Sequence, residues 1–285
     1  MDINTEEIKK TLLEKTEGIR KVLDSKPAVK GLLGKKLLVA LVGVVLVTGI
    51  AVGCKGKSSS KSEDSSKSAS QEKKQTLSPK KVPEYLTVRD RKDGTWVTGY
   101  NASIIPENLT IPDGIVGIDV HAFKECELLE SVKIPGSVKT IGGSAFWECK
   151  SLASVTIAKG LETIDSQAFW KCTSLASVTI PGSVKTIEQD AFRVCTALKS
   201  ITIPEGGVKI GVGAFGDCTS LESVTIAKDV SKIGYVAFKG CTSLKEVRYK
   251  NTVKRFKAIA DNGAFEKGVV IHCTDGDYVF GSDAE

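Results

Sequence analysis

Apolar residues return along this chain with a fixed period. From Leu109 onward the dipeptide Ala-Phe occurs at 122–123, 145–146, 168–169, 191–192, 214–215 and 237–238, each step being 23 residues. Cysteines keep the same phase at Cys126, Cys149, Cys172, Cys195, Cys218 and Cys241. So do Leu129, Leu152, Leu175, Leu198, Leu221 and Leu244. The unit reads L-x-S-V-T-I-P-x-x-V-K-x-I-x-x-x-A-F-x-x-C-x-S. A fixed period of roughly 20–50 residues marks a solenoid, propeller or array, because one such unit cannot bury its own apolar face and must stack on its neighbours.

At roughly 20–29 residues with phased leucines, the pattern points to a leucine-rich-repeat coil. The expected fold class is an α+β repeat solenoid, a right-handed coil with short parallel strands on one face. Within one unit Leu152, Val155 and Ile157 point inward from a strand, while Leu161, Ile164, Phe169 and Cys172 fill the rest. Pro135, Pro181 and Pro204 follow the strand isoleucine, where a missing N–H ends the ladder. The solenoid is assigned to residues 109–248. Residues 83–108 form an N-terminal cap, in which Tyr85–Tyr100 alternates around Asp93-Gly94 as a β-hairpin. Residues 249–285 form an irregular C-terminal cap, with a short helix at Val253–Ala260, an out-of-phase Ala264-Phe265 and a strand at Val269–Cys273.

The N-terminal third has a different character. Residues 1–36 predict a short amphipathic helix, capped at Asn4 and ended by Pro27, followed by a basic stretch. Residues 37–53 contain no charge and are followed at once by Cys54. Two readings stay open. One is a bacterial lipoprotein signal with Cys54 as the lipidated residue; the other is an uncleaved signal anchor with a cytoplasmic N-terminus. Either route makes residues 37–53 or the Cys54 lipid the membrane attachment. Residues 54–82 are rich in Ser and Lys and lack aromatics, so they form a disordered linker.

Charge sharpens this division. The formal charge of +6 separates into +3 for residues 1–53, +5 for 54–82 and −2 for the remainder. The repeats are nearly neutral, which removes the electrostatic footprint of nucleic-acid binding. Two histidines, His121 and His272, have no partner implied by sequence, and cysteines 23 apart do not match the close pairs of a zinc site. The in-phase cysteines read as buried core, with Cys273 in the cap. Phosphate loops, paired catalytic carboxylates and nucleophile elbows are not found, so no enzyme activity and no cofactor is expected.

What remains is surface. Side chains between the core positions of each strand line one continuous, nearly flat face: Ser154, Thr156, Ser177, Thr179, Ser200, Thr202, Ser223 and Thr225 at its centre, with charge towards both ends. Such a face suits a protein or glycan partner better than a buried small molecule.

The motif I-P-x-x-V-x-x-I-x-x-x-A-F-x-x-C-x-x-L resembles the Treponema-pallidum-type leucine-rich repeats of the BspA-like surface proteins. The stretch Tyr249–Asp277, with Y-K-N-T, A-I-A and C-T-D-G-D, is similar to the end cap of that family. The resemblance spans about residues 84–285. It implies a bacterial cell-envelope protein, membrane-anchored with its repeats extracytoplasmic, that adheres to host matrix proteins or to other bacteria and has no enzyme activity. A structural envelope component without a host ligand is the alternative. The leader is longer than the lipoprotein signal that the family implies.

Overall fold

A computed structural model describes residues 82–282. The segment 1–36, the apolar run 37–53, Cys54 and the linker up to residue 81 lie outside the described residues. The described part opens with the expected antiparallel hairpin, β1 (Leu86–Arg91) and β2 (Gly94–Tyr100). Each coil then contributes two strands: β3 (Asn108–Thr110) and β4 (Ile115–Ile118), β5 (Ser131–Ile134) and β6 (Thr140–Ile141), β7 (Ser154–Ile157) and β8 (Thr163–Ile164). The series continues with β9 (Ser177–Val178) and β10 (Thr186–Ile187), β11 (Ser200–Ile203) and β12 (Lys209–Ile210), β13 (Ser223–Ile226) and β14 (Lys232–Ile233). The closing cap holds β15 (Glu246–Tyr249), helix α1 (Val253–Ile259), β16 (Val270–Cys273) and β17 (Gly276–Val279).

Strands stack coil on coil in parallel, 23 residues apart, so Val132 pairs with Val155 and Ile201 with Val224. The structure adds a second sheet, parallel from β2 onward, to the one read from sequence. It runs β1-β2-β4-β6-β8-β10-β12-β14 and uses the V-K-x-I segment of each repeat. From β6 onward it takes only two residues per coil, too few to display a period-two alternation, so it leaves no mark in the hydrophobic pattern there.

The Ala-Phe segment forms a third side without strands. Its backbone alternates between right- and left-handed conformations, with φ of 53–61° at Ser144, Glu148, Gln167, Lys171, Asp190 and Val194. Alternation turns every second amide along the stack. Phe146, Phe169 and Phe192 N–H donate to the carbonyls of Ala168, Ala191 and Ala214 in the next coil, each at 2.7 Å. The intervening amides close tight turns within their own coil, as Trp170 N–H does on Gln167 O at 3.0 Å. Ala168, fully buried beside Phe169, leaves room for this compact arc.

Inside the coils the phenylalanine rings stack in one column. Centroids of Phe123, Phe146, Phe169, Phe192, Phe215 and Phe238 lie 5.1–5.3 Å apart with planes within 7°. Tyr100 adds a rung at the N-terminal end, 5.7 Å from Phe123. Phe265 adds one at the other end, 4.7 Å from Phe238. Helix α1, capped by the Thr252 side chain, absorbs the four extra residues that put Phe265 out of phase in sequence. The cysteines line the same interior. Thiols of Cys149, Cys172, Cys195, Cys218 and Cys241 each donate to the carbonyl of the phenylalanine 26 positions earlier, at 3.0–3.3 Å.

Two stability effects follow. Phe192→Ala removes a central rung and is expected to cost about 3–5 kcal/mol in denaturant unfolding, since the rings above and below cannot close the gap. Val194 is β-branched at a left-handed φ of 61°, a conformation disfavoured by about 1–2 kcal/mol for such residues and tolerated by Asn. Val194→Asn is expected to raise the unfolding free energy by about 1 kcal/mol in the same measurement.

Candidate partner-binding face

The sequence S-V-T-I builds the face by simple alternation. Val155 and Ile157 turn inward and are buried, which forces Ser154 and Thr156 outward. Stacking then aligns like with like. Ser131, Ser154 and Ser177 form one column; Ser200 and Ser223 form another that ends at Glu246. Thr202 pairs with Thr225 and Thr225 with Arg248. Thr156, Ser177, Thr179, Ser200, Thr202 and Ser223 are exposed, whereas Ser154 and Thr225 are half-buried.

The structure corrects one expectation. The sheet beneath the face is not continuous but divides between β9 and β11 into four-stranded and five-stranded parts. Thr179 lies just past the end of β9. In some coils the residue after the strand isoleucine staples adjacent coils, as Ala158 N–H does on Ile134 O at 2.9 Å and Ala227 N–H on Ile203 O at 3.1 Å. Pro112, Pro135, Pro181 and Pro204 occupy this position in other coils and have no N–H to donate, and β3 still pairs with β5 between Pro112 and Pro135, so the missing donors alone do not make the seam.

Both ends of the face are charged or polar. At the N-terminal end the Ser131 hydroxyl donates to Asn108 Oδ1 at 2.6 Å, and Lys133 stands in line with Thr110 and Thr156. At the C-terminal end His272 of β16 sits between two carboxylates. Its Nδ1 is 2.8 Å from Asp277 Oδ1 on β17, and its Nε2 is 3.6 Å from Glu246 Oε2 on β15. The hydrogen bond to Asp277, followed by the charge of both carboxylates, raises the His272 pKa above its ordinary value. His272 therefore has partners that sequence did not imply; one is 26 positions away and becomes a neighbour only through the coil. His121, by contrast, occupies a left-handed turn position with φ of 59°.

A second surface cluster lies on the Ala-Phe side. Trp147 and Trp170, in phase on adjacent coils, meet edge to face at 4.5 Å. Lys124 lies over the first ring and Lys171 over the second, at 4.9 and 4.1 Å. Glu148 joins Lys150 and Lys171 at 3.1 and 3.3 Å, and hydrogen bonds from Lys150, Trp147 and Lys171 hold its carboxyl down to about 2. These groups satisfy one another, so the cluster reads as a brace between coils. The core thiols are equally closed to chemistry. Burial pushes the Cys195 thiol up to about 12 and Cys172 well above its ordinary value. Among the described residues, no grouping of three His, Cys, Asp or Glu side chains could hold a metal ion.

Comparison with known proteins bears on this geometry. The family model for the BspA-type leucine-rich repeat region matches six copies, over residues 100–218 and 162–266. The chain belongs to this family. A crystal structure of a T. pallidum leucine-rich repeat protein is similar at 30% identity and a TM-score of 0.52, covering 63% of this chain and 87% of that one. A leucine-rich repeat protein from Bacteroides ovatus is similar at 31% identity and a TM-score of 0.53. That match covers 59% of this chain and 46% of the other, so the chain spans about half the length of that relative. No curated protein sequence matches.

In the BspA-type repeats of this chain, conserved spacing thus builds an interior of Phe, Leu, Ile and Cys, and leaves the outward strand positions free to vary. The leucine-rich repeat is a protein-interaction scaffold. The cap of this face carries a pH dependence whose sign is fixed by its geometry. With its pKa raised, protonated His272 favours the folded state; that contribution is full below about pH 6.5 and is lost as pH rises through the raised value. NMR titration of the imidazole is expected to give a midpoint above about 6.5, and Asp277→Asn is expected to move it back towards that value.

Proposed function

We propose that this protein is a bacterial envelope protein, tethered to the membrane through a Cys54 lipid or through residues 37–53, whose repeat domain holds a protein partner on the Ser/Thr face. The partner is a matrix protein or another envelope protein. The observation that carries the reading is the face itself, an in-register array of exposed Ser and Thr with a neutral centre and charged ends.

Outward hydroxyls sit on strands whose inward neighbours are buried, so little backbone entropy is lost when a partner docks. Ser and Thr hydroxyls rotate to donate or accept, which suits a surface that must match groups on another protein. Charges at the ends, Lys133 on one side and Glu246, Arg248, His272 and Asp277 on the other, favour one orientation of approach.

The location is tested by protease treatment of intact cells, in which the repeats are expected to be digested; repeats protected until lysis would overturn the extracytoplasmic assignment. Mass spectrometry of Cys54 separates lipidation from an uncleaved anchor. Binding of the full-length chain to immobilised matrix protein is expected to fall at least about tenfold with Thr179→Lys or Thr202→Lys, a change of about 1.4 kcal/mol. Binding indifferent to both substitutions would place the site elsewhere.

A further inference from the structure

The candidate face is not level along its length. Beside its N-terminal half lies a hollow of about 370 Å³, floored by Ile134, Pro135 and Ala158 and rimmed by Thr156, Lys133 and Asp113. Ala158 is exposed on this floor, where the next two coils carry Pro181 and Pro204. Lys133 is one of two Lys or Arg cations in its column: its neighbours Thr110 and Thr156 are uncharged, as are Thr202 and Thr225 further on, and Arg248 stands at the far end.

Some lysines of the repeats are paired, whereas Lys133, like Lys159, Lys199 and Lys209, is not. Lys139 meets Glu162, Lys171 meets Glu148, and Lys239 meets Glu266. Among the described residues, the Lys133 ammonium and the Asp113 carboxylate make neither an ion pair nor a side-chain hydrogen bond, with each other or with anything else. One cation and one anion therefore stand unpaired on the rim of a single apolar hollow. An apolar floor ringed by polar groups is the arrangement of an interface anchor, where one large side chain is desolvated and flanking charges fix its register. The hollow is open to solvent, so it fits one side chain of a longer segment and does not enclose a free small molecule.

We propose that this hollow is the anchor point of the face, seating a bulky apolar side chain of an extended segment of a protein partner, with an acidic neighbour on Lys133 and a basic neighbour on Asp113. This rests on the reading that the face binds protein, and it adds the chemistry of what is bound. In an extended segment alternate side chains share one side, so acid, apolar and base at alternate positions would all face the hollow.

The test pans the immobilised full-length chain with a phage-displayed random peptide library. Enriched peptides are expected to carry a large apolar residue with an acidic residue near it. Their binding is expected to fall at least about tenfold with Lys133→Glu and with Ala158→Trp, which fills the hollow from an exposed position. Panning the Lys133→Glu protein is expected to enrich basic residues in place of the acidic one, an inversion that a merely structural lysine would not produce. Peptides that lose binding with Thr202→Lys but keep it with Lys133→Glu and Ala158→Trp overturn the hollow and leave the face standing. Peptides indifferent to all three substitutions, or a library that yields none, overturn the hollow; indifference to all three also counts against the face.

Discussion

The structure depends on one constraint, the stacking of the phenylalanine ring of each coil directly on that of the next. A ring can stack at about 5 Å only if the backbones that carry it repeat at the same distance. The left-handed residues on either side of the Ala-Phe pair make this possible, because they aim the phenylalanine amide at the next coil while the ring points inward. Spacing, handedness and hydrogen bonding are therefore set together at one place in the repeat. The two parallel sheets inherit their register from it, and the Ser/Thr columns inherit theirs from the sheets. Left-handed conformations cost most at Val194 and Val236, and glycine at 213 and 240 relieves the same positions elsewhere.

Much of this was legible in the chain because the repeat is so regular. Ala-Phe, Cys and Leu recur without insertion through six units, and that phase alone specifies the interior. The hairpin before the first coil and the short helix in the last cap carry local signals, Asp93-Gly94 and the Thr252 cap, that need no knowledge of the fold. What escaped is informative. Tyr100 is a rung of the aromatic column but follows Gly99, not alanine, so the dipeptide search passes over it. The sheet of two-residue strands is set by stacking and has no pattern of its own. The seam in the face falls between two strand segments of nearly identical sequence, so the repeat pattern carries no sign of it. His272 gained its partners only when β15, β16 and β17 came together.

The division of labour between interior and surface gives the functional reading its form. Inward positions are nearly invariant across the coils because each must meet its copy above and below. Outward positions meet only solvent, so they are free to record a binding preference: small and neutral at the centre, charged at the ends, with an apolar hollow beside Lys133. The brace of Trp147 and Trp170 on another side shows the contrast, since its lysines and its carboxylate are already engaged with one another. Net charge follows the same division, residing in the N-terminal segment and linker and leaving the repeats nearly neutral.

Native-state hydrogen exchange of the Phe146, Phe169 and Phe192 amides tests the central constraint most directly. Each donates to the next coil and lies against the ring column, so all three are expected to exchange only through global unfolding, with equal protection set by the full unfolding free energy. Exchange of these amides at the rate of ordinary surface turns, while the strand amides stayed protected, would contradict the account, because the Ala-Phe segments would then follow the stack and not set it.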